Sequence, residues 1–277
     1  MDNQHRDARE FETLKAEIEG AIGSLTLDRP ERLNAINATM LLELAEAARW
    51  FDLHRELRVV IVKGAGRAFS AGADLQDSPM ADGTAPSGNS WLYRREVGQY
   101  GLRACEALEQ MRAVTIAQVH GYAVGGGVVL VAVCDFRVMA DNTVMFIPEV
   151  DLGVPLAWGA IPRMVREIGP AMTKELVMTC RRFTAQEAQA LGFVNRVTTA
   201  DRLAAEAHAL AEELASKPPV PVVMTKEHVN AVARAMAAGF TGYADGDLML
   251  SSIREEESKA AAESYTLERI HKKRQLG

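Results

Sequence analysis

The sequence predicts an α/β fold built on a mostly parallel sheet covered on both faces. Three observations point to it. Segments rich in β-branched residues alternate with amphipathic helical segments as far as about Ala157, the pattern of strands joined by crossover helices. Glycine-rich turns close several of those strands. The chain of 277 residues, 48% hydrophobic and 25% charged, is long enough, and ordinary enough in composition, for a large packed core.

The elements follow in order. "ETLKAEIEGAIGSLTLDRP" reads as two short strands meeting at Glu19 and Gly20. A helix from Ala38 to about Leu53 places Met40, Leu41, Leu44, Ala48 and Phe51 on one face. "RVVIVKG" is a buried strand closing on glycine. "FSAGADL" enters a short helix, followed by the loop "QDSPMADGTAPSGNS", rich in turn formers and expected to form part of a pocket wall. Residues 91 to 111 form another helix, "VTIAQVHG" a strand ending at Gly121, and the glycine triplet of "GYAVGGGVVLVAVCDF" opens the next helix. "FRVMA" returns as a strand. Beyond Ala157, "TAQEAQAL", "DRLAAEAHALAEELAS" and "VVMTKEHVNAVARAMAA" read as helices, with "GFVNRV" a late strand and "KPPVP" the clearest break. The last segment, "REEESKAAAESYTLERIHKKR", is charged and helical, more like a docking arm than core. The division drawn from this is a core over residues 10–200 and a helical region over 201–277.

Composition excludes several classes of function. A formal charge of −6 argues against nucleic-acid binding, and the apolar run from Val128 to Cys134 is too short to cross a bilayer. The charged start "MDNQHRDARE" has no secretory pattern, and three widely spaced cysteines, Cys105, Cys134 and Cys180, fit buried thiols in a reducing cytoplasm. No metal or cofactor motif is found. Gly121 and Gly126 match the start of a nucleotide loop, but Gly127 and Val128 stand where its lysine and hydroxyl belong. "GAGRAF" begins like a dinucleotide fingerprint, yet Phe69 holds the third glycine position. "AFSAG" approaches a nucleophile elbow around Ser70, without an assignable histidine or acid. A fourth reading uses both glycine-rich turns together. Each offers free N–H groups at a helix start, and two converging on one point would hold a developing oxyanion.

The motifs "LTLDRPERLNAIN", "VVIVKGAGRAFSAGADL", "VHGYAVGGGVVLVAVCDFRVMA" and "IPEVDLGVP", in that order and spacing, resemble the enoyl-CoA hydratase/isomerase family, the crotonases, over roughly residues 10 to 230. The resemblance implies a crotonase-like spiral of ββα units with a C-terminal helical region that mediates trimerisation. It implies an acyl-CoA thioester substrate, coenzyme A being part of that substrate and not a separate cofactor, and a homotrimer or dimer of trimers. Carried over by motif, the oxyanion-hole amides are those of Ala73 and Gly126. Ala71, Asp74, Leu75, Gln76, Gly125 and Val129 line the acyl-CoA site, and Arg32 occupies a commonly basic position near the CoA. Lys272, Lys273 and Arg274 read as a solvated tail, with a basic contact to the CoA phosphate as the alternative.

One departure shapes the functional expectation. Hydratases of the family use two glutamates, at positions that here hold Val129 and Glu149. Val129 can neither accept a proton nor orient water. Moving a double bond from β,γ to α,β needs one carboxylate only, and single-glutamate isomerases of the family look like this. Glu149 then requires a raised pKa, which Phe146, Ile147, Val150, Val154 and Leu156 would supply by desolvation. Asp151 is a spare acid that extended alternation would point away. Dienoyl-CoA isomerases carry acids at the positions of Val129 and Ala157, both apolar here. His120, Asp135 and Arg137 read as structural. The expectation is a 3-enoyl-CoA to 2-enoyl-CoA isomerase, with two alternatives: a hydratase with a degenerate second acid, or an acyl-CoA carrier without chemistry.

Overall fold

The computed structural model describes residues 6–77, 90–236 and 242–275 of the chain. It opens with β1 (Arg6–Glu10), β2 (Leu14–Glu19) and β3 (Ile22–Leu27), paired antiparallel. Strict alternation makes this hairpin half-buried, because successive side chains leave opposite faces. Leu14, Ala16 and Ile18 point inward while Lys15, Glu17 and Glu19 face solvent. Gly20, at φ 61°, makes the turn where the sequence predicts it.

Helix α1 (Ala38–Leu53) starts on Asn37, whose side chain accepts the Met40 N–H at 3.0 Å. Its inward residues are the predicted five with Ala45 and Ala47 added. Strand β4 (Val59–Gly64) pairs parallel with β3 and with β5 (Val114–Val119). Between them the predicted single helix is two, α2 (Trp91–Gly98) and α3 (Tyr100–Gln110). The break follows Gly98, whose backbone lies against Gly246. The predicted short helix at "FSAGADL" does not form. That segment makes isolated parallel bridges instead, Ser70 with Ala123 and Ala73 with Ile36, around Gly72 at φ 85°. The loop that follows lies largely outside the described residues.

Next come β6 (Tyr122–Val124), α4 (Gly126–Ala132), β7 (Phe136–Ala140) and β8 (Val144–Phe146). Helix α5 (Ala160–Thr179) kinks at Gly169 and Pro170. It is followed by β9 (Phe183–Thr184), α6 (Ala185–Ala190), β10 (Arg196–Thr198), α7 (Leu203–Ala215), α8 (Pro219–Met236), α9 (Asp245–Ser252) and α10 (Glu256–Gln275). Among the described residues the large sheet runs β1-β2-β3-β4-β5-β7-β10, parallel from β3 onward, and a small sheet runs β6-β8-β9. At the middle of the sheet β4 buries Val59, Val60, Ile61 and Val62 in succession, as a strand covered on both faces requires. Helices α1, α3 and α4 belong to a core around Phe51, Phe69 and Phe193. On the other face α7 packs Leu203, Ala207, Leu210 and Ala211 on Val59, Ile61, Ile116 and Val138. No described helix is long and apolar enough to cross a membrane.

Candidate functional site

Two glycine turns meet at the edge of the small sheet. The first is the segment 69–74. It is stitched on one side to the chain at 120–124, through Phe69 N–H to His120 O (2.9 Å), Ser70 N–H to Tyr122 O (3.1 Å) and Val124 N–H to Ser70 O (3.0 Å). On the other side Ala71 N–H reaches Leu33 O (2.9 Å), Ile36 N–H reaches Gly72 O (2.8 Å) and Asp74 N–H reaches Ile36 O (2.9 Å). Every neighbour is tied down, while the N–H of Ala73 donates to no group of the described chain.

The second turn is the start of α4. Gly125, at φ 48°, precedes the helix and accepts the Val129 N–H at 3.1 Å through its carbonyl. Gly126 is the first helical residue, so its N–H has no partner within the helix, and none elsewhere in the described chain. The two turns touch. A Cβ built on Gly72 would lie 2.6 Å from Val124 O and 3.6 Å from Gly126 N, and one on Gly127 would lie 2.8 Å from Ser70 O. Glycine is therefore required for the approach itself, on both sides.

Glu149 arrives through the small sheet. Strand β8 pairs with β6 so that Gly125 N–H donates to Phe146 O at 2.9 Å. After Pro148 the chain curls into a tight turn, with Leu152 N–H on Pro148 O (3.0 Å) and Val154 N–H on Glu149 O (2.9 Å). This returns the Glu149 carboxyl to Gly125: a Cβ there would meet Oε1 at 2.4 Å and the carboxyl carbon at 3.2 Å. The residue keeps partial exposure, but its Oε2 is sealed and has no hydrogen-bond partner. Burial pushes its pKa from 4.5 up to about 7, and its own backbone offsets that only in part. Of the apolar neighbours predicted around it, Ile147 and Leu156 are buried, whereas Val150 faces solvent.

A cleft of about 660 Å³ lies beside these turns, lined by Leu33, Ala71, Tyr122, Val124, Phe146 and Pro148. Its far wall is α10, through Ala261, Ser264 and Tyr265. Glu149 itself does not line the cleft, although its neighbours Pro148 and Asp151 do. Asp151 lines the cleft beside Cys180 and Arg182, because the tight turn replaces the extended run that would have pointed it away.

The predicted residues divide by environment. Ala71, Ala73, Gly125, Gly126 and Glu149 come together. Asp74 does not face the cleft. Its Oδ1 accepts the N–H groups of Gln76 (3.1 Å) and Asp77 (3.2 Å), and its Oδ2 pairs with Arg29 at 2.9 Å. Burial alone would raise its pKa, but those N–H groups and the Arg29 guanidinium outweigh it and hold the carboxyl below its usual value. Asp74 is thus a turn brace, and Arg29, which sequence reasoning missed, is its partner. Arg32 is exposed and donates to Gln76, and Leu75 beside them is half-exposed; none of the three lines the cleft. Val129 is buried in the core cluster and offers no second acid. Ser70 is fully buried, with its hydroxyl on Asn34 O (2.8 Å), which ends the hydrolase reading. His120 bonds Gly66 O at 2.9 Å, and Asp135 holds Thr115 and Lys226. Both are structural.

Comparison with known proteins identifies the family. The profile described as enoyl-CoA hydratase/isomerase matches residues 17–273. A probable enoyl-CoA hydratase of Rhizobium meliloti (strain 1021) is 36% identical over 79% of this chain and 82% of its own length. The chain belongs to the enoyl-CoA hydratase/isomerase family. A short-chain-enoyl-CoA hydratase of Clostridium acetobutylicum is 33% identical over 80% of this chain and 82% of its own. Among solved structures, an enoyl-CoA hydratase/carnithine racemase from Magnetospirillum magneticum superposes with a TM-score of 0.74 at 30% identity, covering 80% of this chain and 82% of that one. An enoyl-CoA hydratase/isomerase from Mycobacterium paratuberculosis gives 0.77 at 28% identity, covering 95% and 100%. The crotonase spiral is therefore the fold, and the chain is an acyl-CoA-processing enzyme of this hydratase/isomerase family. One residue of the site escaped sequence reasoning altogether. Trp158 lays its indole against Gly126, where a Cβ would meet the ring at 2.4 Å.

Proposed function

We propose that Glu149 moves a proton on an enoyl-CoA thioester whose carbonyl oxygen is held by the N–H groups of Ala73 and Gly126. The thioester enters along the cleft past Ala71 and Val124, with Arg32, Leu75 and Gln76 at the rim near the CoA. The Glu149 carboxylate takes the α-proton, the two N–H groups hold the negative charge that forms on the oxygen, and the protonated carboxyl returns the proton at the γ-carbon. The net result is a shift of a β,γ double bond to α,β, with nothing gained or lost. The observation that carries this reading is the Glu149 carboxyl, unpartnered at Oε2 and pushed up to about 7, close to two unused N–H groups. A base of that pKa is half ionised near neutrality and suits both halves of a proton shuttle.

Hydration is the second reading, favoured by the names of the relatives, which are mostly hydratases. It asks one carboxyl both to activate water and to supply the α-carbon proton, since Val129 stands at the other acid position. One pair of assays separates the two. Isomerisation predicts that a 3-enoyl-CoA is converted to the conjugated thioester by the wild type and not by Glu149→Gln. Faster loss of conjugation from a 2-enoyl-CoA in water would overturn the isomerase reading in favour of hydration. We propose further a cytoplasmic enzyme assembled as a homotrimer or dimer of trimers through the C-terminal helices, tested by its mass in solution.

A further inference from the structure

Val124, the residue before the Gly125–Gly126 turn, lines the cleft, and Trp158 packs on the turn itself. Consecutive residues carry the two walls. A Cβ on Gly125 would strike the Glu149 carboxyl, and one on Gly126 would lie 2.4 and 2.7 Å from ring atoms of Trp158. The opposite side of the indole fills a second glycine gap: a Cβ on Gly101, in α3, would fall 2.1 Å from Nε1. The ring thus sits in a slot made by two missing side chains and stays partly exposed.

The backbone that presents it is unusual. Trp158 has φ 62° and Gly159 has φ 68°, a left-handed pair that a bulky side chain rarely adopts. Buried polar groups enforce it. The Arg163 guanidinium donates to Trp158 O (3.1 Å) and Gly159 O (2.9 Å), and Glu109 fixes that guanidinium at 2.8 and 3.2 Å. From the other direction Asp245 accepts the Gly159 N–H at 2.7 Å. Arg163, Glu109 and Asp245 are all buried. A loop needed only for packing could hold a small residue here in a relaxed conformation. The arrangement instead presses a large flat ring against the first residue of α4.

We infer that Trp158 is the end wall of the acyl site and confines the substrate to short acyl groups. The inference rests on the proposed acyl-CoA site, with the thioester entering from the cleft, but not on which reaction Glu149 performs. An acyl chain continuing past Glu149 would meet the indole. Arg163, Glu109 and Asp245 act through Trp158 as positioning residues.

The test is calorimetric binding of saturated, unreactive acyl-CoA thioesters from butanoyl to dodecanoyl. The wild type should gain affinity over the first members and then stop or lose it. Trp158→Ala should keep gaining, by about four-fold for each added methylene that finds apolar surface, and Trp158→Phe should move the limit by less. Thermal melts check that both are folded, and Trp158→Phe carries the test if the alanine variant is not. Wild-type affinity that climbs steadily through dodecanoyl, or variants that keep the wild-type limit, would overturn the inference. Glu149→Gln should keep the wild-type length limit. Unchanged turnover in that variant would remove the proposed chemistry and leave the wall standing, so the two failures are distinguishable.

Discussion

Replacing Glu149 by glutamine tests the site through stability, independently of any substrate. The carboxyl titrates at about 7 in the native protein against 4.5 in the open chain, because burial disfavours its charged form. The native state therefore keeps a proton that the unfolded chain has already released as the pH climbs through that window. Its stability falls from about 4.5 upward and levels off above about 7. At about 1.4 kcal/mol for each pH unit between the two values, the loss reaches about 3 kcal/mol. Glutamine fills the same space without a charge and has no such loss. The stability difference between variant and wild type should be flat in acid, then move by about 3 kcal/mol in favour of the variant on going to about pH 8.5. Every other titrating group is common to both proteins and cancels. Urea unfolding at a series of pH values measures this directly, provided the slopes with denaturant stay equal. A difference that does not change with pH would mean the carboxyl is as well solvated as in the unfolded chain. The proton-shuttle argument would then lose its physical basis.

Other outcomes follow from the same geometry. The Glu149→Gln enzyme should lose about a thousand-fold or more in turnover on a 3-enoyl-CoA, within the range a positioned acid–base group contributes, and the wild-type kcat/KM should rise with pH through about 7 as the base ionises. Asp74→Ala should destabilise the protein by about 2 kcal/mol in urea unfolding, since it removes the nearer carboxylate of the nearly buried Arg29 and leaves that guanidinium with Ala35 O and the more distant Asp77. The folded-state pKa of Asp74 is depressed, so its contribution is present above the usual 3.8 and is lost as pH falls below it; wild type and variant should converge in acid. Gly72→Ala should cost about 2–4 kcal/mol by the same measurement, because a Cβ would lie 2.6 Å from Val124 O at a positive φ. Val129→Glu should create measurable water addition to a 2-enoyl-CoA while lowering thermal stability, since the position is 2% exposed.

How much of this could be read from the chain depends on how local each feature is. Helix α1 and the β2–β3 hairpin are visible because the apolar period and the turn lie within one short window. The small sheet is invisible for the opposite reason. Strands β6 and β8 are three residues each, β9 is two, and their pairing joins segments some sixty residues apart at the extremes. The helix expected at "FSAGADL" fails on the same ground. Its residues are helix-compatible, but hydrogen bonds to Leu33, Ile36 and Tyr122 hold them extended, and tertiary partners override weak local preference. Similarly, the single helix expected over 91–111 divides at Gly98 because α9 approaches there, which no local pattern records.

The site shows the same division within a single pair of residues. Glu149 and the glycine triplet were legible through motif spacing, but the spacing says nothing of why the carboxyl is strained electrostatically. That follows from contacts: the turn after Pro148 folds the side chain back onto Gly125, where no Cβ can stand between it and the start of α4. Asp74, four residues after the buried Ser70, reads as a substrate contact because it closes the "AGAD" motif, and is instead consumed by Arg29 and two N–H groups. Both are acids beside glycine turns, yet one is fully bonded and lowered while the other is unbonded at Oε2 and raised. Folding tolerates the second only because the rest of the chain supplies the stability it costs. A buried carboxyl that weakens the native state at neutral pH has no packing role that glutamine could not fill. That is the physical reason to place the chemistry on Glu149 and to treat Asp74 as scaffold.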